Sequence, residues 1–223
     1  MCVDFTNLNR ACPKVPFPMS MIDQLVDVTV GHLQMSFLDA FKGYHQIPLA
    51  TDEQEKTTFV TPVENYHYKV MSFGLKNIGL THQRMMIKMF ELQLGKIVEV
   101  YIDDMVIKSK VVSEHLADLT NIFEILRRHK LQLNASKCSF GVGSGKFLGY
   151  MVTHKGIEVN TDQVKAVNSL QPPRNLKEVQ KLTTMMAALN QFVFRSTERC
   201  RPFFLLLHKW KEFQRSEECV MAF

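Results

Sequence analysis

The 223-residue sequence is 46% hydrophobic with a net charge of +5, enough apolar material to bury a substantial core as one large domain or two small ones. No apolar run approaches the ~20 residues of a membrane span, and a start carrying Asp4 and Arg10 lacks a signal-peptide pattern, so no membrane partner is expected. The five cysteines (Cys2, Cys12, Cys138, Cys200 and Cys219) give neither a disulfide framework nor a zinc spacing, which points to a reduced, intracellular setting.

Met1-Cys2-Val3-Asp4-Phe5 has the pattern of a strand, followed by Asn7-Leu8-Asn9-Arg10. Pro13, Pro16 and Pro18 then make an extended, helix-hostile connector. Ile22, Leu25 and Val26 recur at helical spacing within 21–30, and Gly31 stops that helix. The apolar run from Leu33 to Leu38 predicts a strand that delivers Asp39, with Gly43 and Tyr44 shortly after. From Gln46 to Val70 short strands alternate with turns, and Glu53 to Lys56 supplies a charged bend in which Lys56 is expected to be solvated. Thr81 is expected to cap a helix whose Met85, Met86, Met89 and Phe90 form one apolar face and which Gly95 ends.

Val98, Val100 and Ile102 alternate as in a half-buried strand. Asp103-Asp104 interrupts the run, and a second β-prone stretch follows at once, which predicts a hairpin with carboxylates at its tip. Aspartate is a common turn residue, so the pair alone does not make a metal site. A second strand ending in Asp39 changes that, because two strand ends delivering carboxylates are what a two-metal phosphoryl-transfer site requires. Hard oxygen ligands suit Mg²⁺, and paired ions in such sites lie ~3.5–4 Å apart.

Ser113 is expected to cap the next helix, with Leu116, Leu119, Ile122, Phe123 and Leu126 as its buried stripe. Arg127, Arg128, His129 and Lys130 crowd its last turn, where cations oppose the helix dipole. Between Met105 and Lys155, eight basic residues face three acidic ones, the whole net excess of the chain. Such a field suits a nucleic-acid backbone and equally suits solubility. Gly141, Gly143 and Gly145 lack the Gly-Lys-Ser/Thr order of a phosphate loop. A strand pair is expected over 147–157. Thr161 then caps a helix to Leu170, Pro172-Pro173 breaks the chain, and Asn175 with Glu178 makes a capping-box start to a helix whose apolar face reaches Val193.

Tyr101-Ile102-Asp103-Asp104 resembles the Tyr-x-Asp-Asp box of reverse transcriptases, and Asp39 to Tyr44 resembles their first aspartate motif. The finer likeness, over nearly the whole chain, is to gypsy-type long-terminal-repeat retrotransposons. The resemblance implies an α+β polymerase right-hand fold: partial fingers and palm over 1–155, with an antiparallel sheet backed by helices, a helical thumb over 156–201, and over 202–223 a tether toward a ribonuclease H domain. It also implies that the sequence starts partway through the fingers, just after a basic residue that grips the triphosphate.

The activity so implied is RNA-directed DNA synthesis from deoxynucleoside triphosphates on a primed RNA or DNA template. Asp39, Asp103 and Asp104 would hold two Mg²⁺ ions, with Mn²⁺ as an alternative, and Lys137 would protonate the leaving pyrophosphate. Tyr44 would block a ribose 2′-hydroxyl. Phe73 and Gly74 of the box Met71 to Asn77, with Gln83, would line the nucleotide pocket, and Phe147, Leu148, Gly149 and Tyr150 would grip the primer. The parent polyprotein would also carry ribonuclease H and integrase domains, in a cytoplasmic particle or the nucleus. Four positions depart from the family pattern: Ser72 replaces a proline, Ile78 and Leu80 replace small residues, and His82 replaces an aromatic. Bulk of this kind is expected to cost roughly 1–3 kcal/mol. The alternative expectation is therefore a catalytically defective relic that folds and at most binds nucleic acid.

Overall fold

The computed structural model describes residues 3–18, 20–159, 161–193 and 195–208. They fall into two compact units, Met1–Glu158 and Val159–Phe223.

The expected opening strand is not found at residues 3–5, and Met1 and Cys2 lie outside the described residues. Asp4 instead accepts hydrogen bonds from the Thr6 amide (2.8 Å) and hydroxyl (2.6 Å), a local turn that leads into helix α1 (Thr6–Ala11). After the proline connector come α2 (Ile22–Asp27), strand β1 (Gln34–Asp39) and the short α3 (Thr51–Gln54). The expected charged bend is helical: α3 runs into a 3-10 turn at Glu55–Thr57, with Lys56 on Glu53 at 2.6 Å. A two-stranded hairpin follows, β2 (Phe59–Val60) with β3 (Asn65–Tyr66). Then come α4 (Ile78–Met89), β4 (Val98–Tyr101), β5 (Asp104–Ser109), α5 (His115–Arg128), β6 (Ser139–Val142), β7 (Ser144–Phe147), β8 (Tyr150–Thr153) and β9 (Gly156–Glu158).

Strands β4, β5, β1 and β6 form one antiparallel sheet in that order. Alternation along β1 sends Met35 and Phe37 to one face, where they pack with Leu25, Val26, Val106, Phe147 and Val152. Leu38 joins the other face with Met86, Phe90, Val98, Val100, Met105, Ile107, Ile122 and Leu126. Helices α4 and α5 therefore cover one face, and α2 with the β7–β8–β9 sheet covers the other. The hairpin expected to be half-buried is thus buried on both sides except at its tip. Lys108, counted above in the basic field, is one of the residues lost to the interior. Its Nζ donates to Glu99 (2.6 Å) and to the Val28 carbonyl (2.7 Å), so it is not offered to any polyanion.

Two helix starts differ from expectation. Helix α4 begins three residues before Thr81, whose hydroxyl donates back to the Asn77 carbonyl (2.9 Å) from inside the helix. Its Ile78 and Leu80 are half-buried. Ser113 lies in a 3-10 turn (Val112–Glu114) without capping the helix, and Leu116 is 75% exposed. His115 faces inward instead, because polar partners await it. Its Nε2 meets Ser36 Oγ and its Nδ1 meets Ser109 Oγ, both at 2.8 Å, and Ser109 donates to Asp118 at 2.5 Å. Burial holds the His115 pKa below its usual value, with Asp118 opposing.

The second unit comprises α6 (Thr161–Asn168), α7 (Leu176–Ala188) and α8 (Ser196–His208). The capping box at Asn175 forms as expected: Asn175 Oδ1 accepts from the Glu178 amide (2.9 Å), and Glu178 accepts from the Asn175 side chain (3.1 Å) and the Arg174 amide (2.7 Å). The expected tether boundary at 202 falls inside α8. Helix α8 runs through Pro202, and Phe203 and Leu206 are buried against Val179 and Leu182. Residues 209–223 of that tether lie outside the described residues. Among the described residues, no helix is long and apolar enough to cross a membrane.

Candidate active site

Asp39 closes β1 and lies directly opposite Asp104, the first residue of β5, in the antiparallel ladder. The Ala40 amide donates to the Asp103 carbonyl (3.0 Å), which carries the pairing one step past the strand ends. Tyr101 pairs with Asp104, so Ile102 and Asp103 form the two-residue tip of the β4–β5 hairpin. Ile102 takes φ +54°, a left-handed conformation that strains a β-branched residue by roughly 1–3 kcal/mol. Gln83 holds it there, accepting from the Ile102 amide (2.5 Å) and donating to the Val100 carbonyl (3.1 Å). Gln83 is wholly buried behind the hairpin. Its expected place in the nucleotide pocket is therefore corrected, since both ends of its amide are occupied by backbone.

Lys137 reaches the same patch from the loop before β6, with Nζ 3.1 Å from Asp39 Oδ2. That loop is tied down by the Asn134 amide donating to the Asp39 carbonyl (2.9 Å). The Asp103 carboxyl is held above the ordinary carboxylate range by burial and then by the charges of Asp39 and Asp104, with Lys137 opposing. Asp104 is raised by partial desolvation and then by Asp39, again against Lys137. Three hard oxygen donors whose charges oppose one another suit a divalent cation, which would relieve that repulsion. Asp103 Oδ1 is itself buried with no hydrogen bond. Among the described residues, no three histidine, cysteine, aspartate or glutamate side chains are grouped so as to hold an ion. Further ligands then fall to water and substrate, the usual habit of Mg²⁺.

Tyr44 stands beside these carboxylates, its ring edge-on to Phe73 (5.2 Å) and to His82 (5.4 Å). Phe73 is 60% exposed, and Gly74 takes φ +96°, which only glycine adopts freely. His82 is fully buried, with Nε2 3.6 Å from Asp103 Oδ1, beyond hydrogen-bond distance. Burial pushes its pKa down to about 4, with the Ile102 backbone pulling the other way, so the ring is neutral at pH 7. Gly43 closes over this pair. A Cβ there would lie 2.3 Å from Asp103 Oδ1 and 2.8 Å from His82 Nε2. Sequence reasoning assigned neither Gly43 nor His82 a role. A glycine in a turn and a histidine on a helix carry no local signal of what they will face.

The four residues expected at the primer grip divide. Phe147 is core, 3% exposed and packed 6.4 Å from Phe37, so its ring is not available to a ligand. Leu148 (φ +51°) and Gly149 (φ +89°) form the tight turn between β7 and β8. The Tyr150 hydroxyl reaches Asp23 at 3.4 Å.

Residues 1–152 match the family described as reverse transcriptase (RNA-dependent DNA polymerase). The chain is 31% identical over 193 residues to the retrovirus-related Pol polyprotein from transposon opus of Drosophila melanogaster, covering 86% of this chain and 19% of the relative. It is 30% identical over 207 residues to that from transposon 297 of the same fly, covering 93% and 20%. It is 27% identical over 214 residues to the transposon Tf2-3 polyprotein of Schizosaccharomyces pombe, covering 95% and 16%. The chain thus spans about a fifth of the length of the curated relatives it matches. Among solved structures, the foamy viral protease-reverse transcriptase in complex with dsDNA superposes with a TM-score of 0.91 at 21% identity, over 100% of this chain and 47% of that one. The same protein with an RNA/DNA hybrid gives a TM-score of 0.88 at 22% identity, over 98% and 30%. At these identities the likeness establishes the polymerase fold.

Proposed function

Because this chain belongs to the reverse transcriptase (RNA-dependent DNA polymerase) family, we propose that it is the polymerase domain of a long-terminal-repeat retrotransposon polyprotein. It extends a primer on an RNA or DNA template from deoxynucleoside triphosphates. The first unit is then fingers and palm and the second unit the thumb, in a parent that also carries ribonuclease H and integrase domains. Foamy viral relatives hold duplexes of DNA and of RNA with DNA, and a duplex of that kind is the partner proposed for this chain.

The observation that carries this reading is the pairing of Asp39 with Asp104, which gathers Asp103 and Lys137 onto one patch. Asp39, Asp103 and Asp104 would hold two divalent ions, Mg²⁺ or Mn²⁺, whose contribution is to activate the primer 3′-hydroxyl and to stabilise the leaving oxygen. The primer 3′-hydroxyl gives up its proton to solvent water and its oxygen bonds to the α-phosphorus as the bond to the bridging oxygen of the β-phosphate breaks, and pyrophosphate leaves. Lys137 supplies a proton to that leaving group. Tyr44, braced between Phe73 and His82, presents a wall of ring carbon that a 2′-hydroxyl would strike. Phe73 and Gly74 lie beneath the incoming nucleotide, and the Leu148-Gly149 turn with Tyr150 orients the primer end. The exposed Arg127, Arg128 and Lys130 leave a positive patch at the end of α5.

The test is extension of a primed RNA template by the purified protein with Mg²⁺ or Mn²⁺. Asp103→Asn is expected to lower incorporation by at least ~10³-fold, the scale of electrostatic transition-state stabilisation, with primer–template affinity unchanged. No incorporation by the wild type would favour the catalytically silent relic. Equal incorporation by Asp103→Asn would refute the assignment of the site.

A further inference from the structure

Three polar atoms around the hairpin tip are buried with no partner at ordinary hydrogen-bond geometry, Asp103 Oδ1 and both ring nitrogens of His82, and the Ile102 backbone lies near enough to the ring to raise its pKa. Leaving such atoms unpaired costs ~1–3 kcal/mol each, so an arrangement that keeps three of them together calls for an explanation. Two of them face each other, Nε2 and Oδ1, across 3.6 Å. The gap is shut in by the Gly43 backbone, and the absence of a side chain at Gly43 is what lets the two atoms approach. The edge-on Tyr44 ring fixes the plane of the imidazole. His82 also sits next to Gln83, which clamps the backbone of the same hairpin tip, so one helical turn addresses both backbone and side chain there.

We propose that His82 is a positioning residue for Asp103: its Nε2–H donates to Oδ1 and holds the carboxylate so that Oδ2 is turned to the divalent ion. The proposal rests on reading the site as a metal-dependent polymerase centre. An uncharged imidazole has one donor and one acceptor nitrogen, and a carboxylate facing Nε2 selects the tautomer with the proton on that nitrogen. A closure of about 0.6 Å brings the pair to ordinary hydrogen-bond length. The imidazole then acts on the ion through Asp103, the role outer partners play around metal ligands, where their loss weakens binding ~10–100-fold. A competing partner for the ring is the Ile102 carbonyl, and the experiment separates the two.

The protein with primer–template and a chain-terminated primer is titrated with Mn²⁺, free ion being read by electron paramagnetic resonance. His82→Phe keeps a ring against Tyr44 and removes the donor; His82→Gln keeps a donor at the reach of Nε2. Expected is a ~10-fold or greater loss of Mn²⁺ affinity in His82→Phe, recovery of most of it in His82→Gln, and unchanged primer–template affinity in both. Equal Mn²⁺ affinity in His82→Phe and the wild type, with Asp103→Asn impaired, overturns this inference and leaves the polymerase reading standing. That is the outcome expected if the ring serves only Ile102. No Mn²⁺ binding by the wild type, or none lost in Asp103→Asn, overturns both. Should His82→Phe fail to fold, nitrogen-15 spectra of the wild-type histidines decide: a proton on Nε2 whose resonance moves on Mn²⁺'s diamagnetic counterpart Mg²⁺ supports the inference, and a proton on Nδ1 overturns it.

Discussion

Replacing Gly43 with alanine separates chemistry from folding more sharply than any change at the aspartates. The added Cβ would fall 2.3 Å from Asp103 Oδ1, 2.8 Å from His82 Nε2 and 3.3 Å from Asp103 Cγ. Restoring van der Waals contact with Oδ1 requires a movement of about 1 Å, and a misplacement of that size costs ~10²-fold in rate. His82 is enclosed on every side, so the carboxylate of Asp103, with 35% of its side chain exposed, is the group that yields. The stability cost stays small for the same reason. Gly43 has no positive φ, so alanine gains roughly 0.4–1 kcal/mol by restricting the unfolded chain, against ~1–3 kcal/mol for the crowding. Net destabilisation is therefore about 2.6 kcal/mol at most, or ~5–10 °C in Tm for a unit of this size. Single-turnover incorporation and a thermal melt on the same preparation read the two effects. A Gly43→Ala rate within about threefold of the wild type would refute the geometry on which the site is built.

Gln83→Ala should do the opposite, destabilising the fold first. It strips partners from the half-buried Ile102 amide and the buried Val100 carbonyl, a loss of roughly 2–4 kcal/mol seen as a fall in the midpoint of urea unfolding. An unchanged midpoint would return Gln83 to the nucleotide pocket. Asp103 and Asp104 bind a proton more tightly in the fold than at their ordinary value of 3.8, so their ionisation opposes folding. That contribution to stability is full below pH 3.8 and is lost as pH rises through the raised values. Asp103→Asn should accordingly melt higher than the wild type at pH 7, with the gap closing toward pH 4 and also on adding Mg²⁺ to the wild type; a gap independent of pH would refute the repulsion. Lys137→Ala should lower the rate of pyrophosphate release chemistry by ~10²-fold with primer–template affinity retained, and a rate lowered no more than threefold would leave Lys137 as merely the counter-charge of Asp39.

Much of the frame could be read from the chain because local rules decide it. A short apolar run before Asp39 and alternating apolar residues before Asp103-Asp104 announced two strands leading into carboxylates, and the capping box at Asn175 announced α7. Local rules failed where a distant partner outweighed them. Helix α5 turns His115 inward and leaves Leu116 in water, because Ser36 and Ser109, on two other strands, satisfy both ring nitrogens. Lys108 disappears from the surface because Glu99 and the Val28 carbonyl meet it inside. Phe203 and Leu206 extend a helix past Pro202 because α7 offers them a core.

What the sequence determined by itself is where the carboxylates fall and which strands present them, since period-two patterning and turn composition depend only on neighbours along the chain. Only the tertiary structure decided which residues serve that centre from behind. Gly43, His82 and Gln83 matter through contacts with residues 103, 103 and 102, and long-range contacts of that kind leave no periodicity to read.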